Sequence, residues 1–277
     1  MAVNKYLTIE VEPSKSFSLE ISGEGAKGIP TDERNLTLVA MKKILGEMPR
    51  LKMKIHSEIP ACGGFGASGA AIVGGLLLGN KIANKKICIP NLYNIAVKIE
   101  GHPDNVSAAL FGGLVVNARG DDGTYSWVNF PVDKKLKLVA ILPDVKIETQ
   151  AARKILPGSI TLSEAVSNVQ HSSLLVAAVA SDSYGMLRYA VRDELHEKYR
   201  KKLIPHYDEF AEAALNNGAL AFTISGAGSA CIAFCLHYRY KMVQKGFDSL
   251  INRMKLNWST EVLEPVNRGA EIFTVKT

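Results

Sequence analysis

Apolar and polar residues alternate through "YLTIEVEP" and "SFSLEIS", which predicts two strands with a turn near Pro13-Ser14-Lys15. The Gly/Pro-rich stretch "GEGAKGIPTDERN" follows as a loop, and "LTLVAMKKILGEM" then takes up helical spacing until Pro49. Alternation resumes in "LKMKIHSEI", a strand ending at Pro60. Beyond the glycine-rich "PACGGFGASGAA", the apolar "AAIVGGLLLGNKIAN" predicts a helix, and "NLYNIAVKIEG" a second after Pro90. "NVSAALFGGLVVNAR" leads into strand structure, and "YSWVNFPV" closes the first half. A strand "LKLVAILP" opens the second half, with helices expected over 162–180, 183–193 and 205–217, the last ended by Gly218. Strands "ALAFTIS" and "ACIAFCL" flank the turn Gly226-Ala227-Gly228, and a helix over 238–254 precedes strands "TEVLEPV" and "AEIFTV". Strands interleaved with segregated helices predict an α+β fold in both halves, with a boundary at Pro131–Lys135.

With 277 residues, 47% hydrophobic and 22% charged, the chain can build one large domain or two smaller ones. The net charge of +6 is spread thinly, apart from runs such as Lys134-Lys135 and Arg200-Lys201-Lys202 that lack interleaved aromatics. This favours small anions over nucleic acid. The four cysteines show no zinc spacing, and Cys231 and Cys235 lie on one face of a predicted strand as reduced core thiols. The N-terminus has no signal-peptide pattern, and no apolar run approaches a membrane span, so a cytosolic protein is expected.

Gly64 to Gly69 spells G-x-G-x-x-G, but so does Gly23 to Gly28, and the pattern alone is weak. A dinucleotide site needs a second strand with an acidic end about 20 residues on. Here a loop and a helix follow instead, and no Gly-Lys-Ser/Thr is present for a P-loop. Phosphate remains favoured. Gly63, Gly64 and Gly66 let backbone N–H groups converge on an anion, and Ser68 starts a helix whose dipole attracts negative charge. The alternative is a tight strand–helix turn whose glycines serve packing only.

Together with "EGHPDNVSAALFGGL" (100–114), this loop resembles the homoserine kinases of the GHMP kinase superfamily, which carry P-x-x-x-G-L-G-S-S-x-A and then E-G-H-P-D-N-V-A-P-A-x-F-G-G-L. The likeness continues through "LPDVKIETQAARKILP", "HEKYRKKLIPHYDEF" and "TISGAGSACIAF". It implies a two-domain α+β fold: residues 1–133 similar to the second domain of ribosomal protein S5, and 134–277 a ferredoxin-like C-terminal domain, with ATP expected in the cleft between. The implied reaction is transfer of the γ-phosphoryl group of ATP to the side-chain hydroxyl of L-homoserine, a step in threonine biosynthesis. Such chemistry asks mainly for positioning and charge neutralisation.

Carried over by motif, Gly63, Gly64, Gly66, Ala67, Ser68 and Gly69 would wrap the phosphates, and Ser68 with Glu100 would hold Mg²⁺. Asn35 falls at the adenine contact, though it could equally be a helix N-cap. His102, Asp104 and Asn105 would line the amino-alcohol site, with Arg153 and Arg200 on the carboxylate and Thr149 near the reacting hydroxyl. Gly226 to Gly228 would support the loop and the pocket. Neither nucleic acid nor membrane is implied as a partner. The family is often dimeric, but no interface is legible.

Departures from the pattern are Phe65 and Ala67 for Leu and Ser, and Ser229 for a proline. The family's opening P-A-T-S-A-N-L-G-P-G-F-D strand and loop, which contacts homoserine, is expected to be missing. An active homoserine kinase that tolerates this loss or is completed by a partner chain remains the first reading, with two alternatives beside it: a nucleotide-binding relative impaired in catalysis, or a GHMP kinase for another small alcohol.

Overall fold

Leu51, Met53, Ile55 and Ser57 are all buried along one strand, and that strand sits at the centre of its sheet. The computed structural model describes every residue except 27, 49, 61–62, 146, 148–151, 153 and 276–277. By contacts the chain forms two units. One comprises 1–61, 66–129 and the chain from Val266. The other comprises 130–265 together with Gly63–Phe65.

In the first unit, β1 (Leu7–Pro13), β2 (Ser18–Gly23) and β3 (Leu51–Ser57) form a sheet in the order β1-β3-β2. β3 runs antiparallel to β1 and parallel to β2. The turn after Pro13 therefore closes no hairpin, because β3 lies between the two strands it connects. Alternation reports which face of a strand is buried, not which strand pairs with it. Ile9, Val11, Leu19 and Ile21 pack with Met53 and Ile55 beneath Leu38 and Met41 of α1 (Leu36–Leu45). On the opposite face Glu10 and Glu20 flank Lys54, and Glu12 faces Lys52.

α2 (Ala67–Ile82) lies so close to α1 that a Cβ on Gly75 would fall 2.2 Å from the Thr37 carbonyl oxygen. Gly75 and Gly79 thus serve the approach of α2 to α1. α3 (Ile89–Glu100) and α4 (Asp104–Phe111) complete this core through Leu92, Tyr93, Val97, Val106 and Leu110, beside the hairpin of β4 (Leu114–Arg119) and β5 (Tyr125–Phe130).

The strand expected over 270–275 does not form. Instead the C-terminal segment crosses the end of α4, with the Ala270 N–H on the Ala109 carbonyl and Gly113 N–H on the Val266 carbonyl. Arg268 backbone would lie 2.5 Å from a Cβ on Gly112, so this crossing is what requires glycine there.

The second unit is built on an antiparallel sheet ordered β7-β8-β6-β9: β6 (Leu136–Leu142), β7 (Ala221–Ile224), β8 (Cys231–Leu236) and β9 (Ser259–Leu263). The helix expected over 183–193 is broken into a 3₁₀ turn, Tyr184–Met186, and the short α6 (Leu187–Ala190). Tyr184 is held away from helical continuation by its hydroxyl, which donates to Asp182 and accepts from the Asp133 N–H. Around it lie α5 (Leu162–Ala180), which begins in a Thr161–Glu164 capping box, and the short α7 (Glu197–Arg200). α8 (Tyr207–Asn216) and α9 (Tyr240–Met254) cover the sheet through Phe210 and Phe247. Cys231 and Cys235 are buried free thiols in this core. No described helix is long and apolar enough to cross a membrane.

Candidate active site

The glycine-rich loop is held by different partners at its two ends. On the second unit's side, Ser225 donates its hydroxyl to the Gly64 carbonyl at 2.9 Å, and the Ala230 N–H reaches the Gly63 carbonyl at 3.3 Å. A Cβ on Gly64, whose φ is +82°, would lie 1.9 Å from the Ser225 carbonyl oxygen. Gly226 sits against Gly64 in turn, so the Gly226-Ala227-Gly228 turn backs the loop directly.

On the first unit's side, left-handed Gly66 precedes α2, and no side chain caps the helix. The N–H groups of Ala67, Ser68 and Gly69 occupy its first turn, where the helix dipole is positive. This is an anion-binding geometry, and it begins one residue before Ser68.

Ser68 donates to Glu100 Oε1 at 2.5 Å. Glu100 ends α3, and its side chain is 6% exposed, so a nearly buried carboxylate faces the start of α2. The chain then turns at left-handed Gly101, and His102 places Nε2 3.9 Å from Glu100 Oε1 while its Nδ1 hydrogen-bonds the Asp104 carboxylate. Asn105, in the first turn of α4, packs on the loop itself: Cβ atoms on Gly66 and Gly69 would meet it at 3.0 and 2.9 Å. Gly69, a poor helix former, is there because α4 starts against it. One centre in the first unit therefore gathers Gly66, Ala67, Ser68, Gly69, Glu100, His102, Asp104 and Asn105.

Asn35 is buried and caps α1. Its Oδ1 accepts the Thr37 N–H at 3.0 Å, and its Nδ2 donates to the Pro30 carbonyl at 2.9 Å. Of the two roles open to it, the structure displays the cap.

Arg200 belongs to the second unit, where Nε donates to the Ala152 carbonyl at 3.1 Å and a terminal nitrogen to the Gly226 carbonyl at 3.2 Å. Glu197, one turn earlier and not singled out by its residue type, anchors this short helix. It accepts the hydroxyls of Tyr207 and Thr223, both at 2.6 Å. Burial first, and the Glu197 carboxylate second, push the Tyr207 hydroxyl well above the ordinary tyrosine range, so it stays a donor. Only the spacing of Glu197 to Arg200 could have signalled it. Thr149 and Arg153 lie outside the described residues.

Among the described residues no group of three or more His, Cys, Asp or Glu is arranged to hold a metal. What is present is a hydroxyl and a carboxylate, hard oxygen donors of the kind Mg²⁺ takes when phosphates and water fill its remaining positions.

Family models for the GHMP kinases N terminal domain and the GHMP kinases C terminal match residues 35–113 and 175–245. A homoserine kinase of Caldicellulosiruptor bescii is 35% identical over 283 residues, covering 100% of this chain and 92% of the relative. The chain belongs to the homoserine kinase family of GHMP kinases. A second homoserine kinase, from Carboxydothermus hydrogenoformans, is 38% identical over 98% of the chain and 89% of its own length. The crystal structure of homoserine kinase from Cytophaga hutchinsonii superposes with a TM-score of 0.83 at 25% identity, covering 96% of this chain and 89% of that one. The L. major mevalonate kinase shares the fold alone, at a TM-score of 0.67 and 16% identity over 95% of this chain and 88% of that one. As a GHMP kinase the chain is an ATP-dependent small-molecule kinase, and its two-domain α+β architecture is that of the family. The N-terminal match spans the glycine loop and the Glu100–Asn105 segment.

Proposed function

We propose that this chain phosphorylates the side-chain hydroxyl of L-homoserine with Mg-ATP, in the cytosol, as a step of threonine biosynthesis. The observation that carries this is the Ser68–Glu100 pair, a nearly buried carboxylate held at the uncapped start of α2. The first-turn N–H groups of Ala67, Ser68 and Gly69, with Gly63, Gly64 and Gly66, hold the phosphates. Asn35 serves the nucleotide side by fixing the start of α1. Ser68 and Glu100 would hold Mg²⁺, which would neutralise charge on the transferred group.

The acceptor is oriented by Asn105, His102 and Asp104, and its carboxylate is gripped by Arg200 with Arg153. Thr149 lies near the reacting hydroxyl in this reading. Arg200 is suited to its task because the Gly226 carbonyl and the Glu197 anchor restrict its swing. No strong general base is required, since the transition state is loose and positioning dominates.

The test is ADP release with Mg-ATP, with and without L-homoserine, beside mevalonate and simple amino alcohols. Homoserine-dependent turnover that collapses in Ser68→Ala and Glu100→Gln supports the assignment. A clear preference for another alcohol, or nucleotide binding without turnover, overturns it.

A further inference from the structure

Three polar side chains from three elements of the first unit meet behind the start of α4. Tyr93 of α3 donates its hydroxyl to Asn117 Oδ1 at 2.5 Å, Asn117 of β4 donates Nδ2 to Ser107 Oγ at 3.1 Å, and Ser107 donates to the Asp104 carbonyl at 3.0 Å. We infer that Tyr93, Asn117 and Ser107 form a one-way hydrogen-bond relay that fixes the first turn of α4 and so positions Asn105. The inference rests on the role given to Asn105 above.

The direction of the relay follows from the atoms. Asn Oδ1 and a backbone carbonyl only accept, and Asn Nδ2 only donates, which sets the direction of each of the three bonds. Its origin is stiff. Tyr93 is fully buried, with its ring edge-on to Phe111 and Trp127 at 5.2 Å each. Burial, with Tyr125 beside it, pushes its hydroxyl up to about 12, so the donor persists across the working range. Tyr93 also sits two turns before Glu100 on the same face of α3, so one rigid helix supports both the carboxylate and the turn that bears Asn105. At the far end, Ser107 is buried, and its N–H closes the turn on the Pro103 carbonyl at 2.9 Å. The relay touches no part of the loop, so Tyr93, Asn117 and Ser107 are positioning residues.

Two variants test it in the full chain. Ser107→Ala deletes the link. Asn117→Asp keeps the shape and the Tyr93 acceptor, but turns the Ser107 proton away from Asp104. Amide exchange at residues 107 and 108 should quicken about 10-fold in both, although alanine's helix propensity alone would slow it. The kcat for homoserine should fall about 10- to 100-fold with the KM for ATP within about twofold. In an Asn105→Ala background, Ser107→Ala should lower kcat less than about twofold, because it acts through Asn105. Unchanged exchange in both variants, or an equal kcat loss in both backgrounds, overturns the relay. If the unsubstituted chain turns over no homoserine, the functional reading falls, and exchange alone decides the relay.

Discussion

Ser68 and Glu100, 32 residues apart, meet at 2.5 Å where the first turn of α2 faces the last residue of α3. A backbone dipole and a side-chain charge meet there: the helix start that attracts phosphate, and the carboxylate that tolerates burial through a hydroxyl and a neighbouring imidazole. Glu100→Gln keeps the shape but removes the charge. It should lower kcat about 100-fold and shift half-saturation by Mg²⁺ upward about 10-fold, on the scale seen when a transition-state electrostatic contact is lost. The melting temperature should hold or rise, because a nearly buried charge is gone. Mg²⁺ titrations of activity beside thermal unfolding check this; unchanged Mg²⁺ dependence would remove Glu100 from the metal site.

Gly69 and Gly74 both lie inside α2, and both should gain about 1 kcal/mol of helix propensity on substitution by alanine. Their surroundings differ. At Gly69 the new Cβ would meet Asn105 backbone at 2.9 Å, whereas at Gly74 it meets the terminal methyl of Ile9, which can rotate away. Gly69→Ala is therefore expected to lose about 1–3 kcal/mol and much of its kcat, and Gly74→Ala to change stability by under about 1 kcal/mol. Urea unfolding of the pair, with steady-state rates, decides it.

That contrast shows where sequence pattern stops. Period-two and helical spacing located β1, β2, β3, α1, α2 and α3, because each buries one face. Spacing could not say that β3 separates β1 from β2, since pairing depends on contacts far apart in the chain. The motif residues Ser68, Glu100 and Asn105 were legible as a set, and the fold brings them together. Gly112 and Gly69 looked like turn and helix defects until the C-terminal segment and α4 were seen against them. Asn117 carries no pattern at all, and neither Glu197 nor Ser107 showed its role by residue type. They are single polar residues whose value lies in the partners that tertiary structure supplies.

Arg200 reaches the Gly226 carbonyl with one terminal nitrogen while Nε is spent on Ala152. A lysine can place only a point charge there and cannot make both contacts. Arg200→Lys should raise the KM for homoserine about 10-fold, and Arg200→Ala about 100-fold, with the KM for ATP within about twofold. An amino alcohol lacking the carboxylate should be phosphorylated equally poorly by all three proteins. Parallel loss on that substrate would mean that Arg200 supports the fold of the site and does not grip the carboxylate.

Asp193 precedes α7 and anchors its entry, accepting the Leu195 N–H at 2.6 Å, the His196 N–H at 3.0 Å and the His196 ring at 3.1 Å. Burial works against its charge, but the His196 side chain and these backbone donors outweigh it and hold the carboxyl down at about 2. The folded value lies below the unfolded one near 3.8, so the contribution is complete above that pH and is lost as pH falls towards 2. It amounts to roughly 2 kcal/mol, an upper figure for a group about a third exposed. Asp193→Asn should accordingly be less stable than the parent at pH 6, and the gap should close between pH 4 and pH 2. Chemical unfolding of both proteins across that range tests the sign, because the other carboxylates titrate in each and cancel in the difference. A gap that widens on acidification would mean that Asp193 is not ionised in the folded chain.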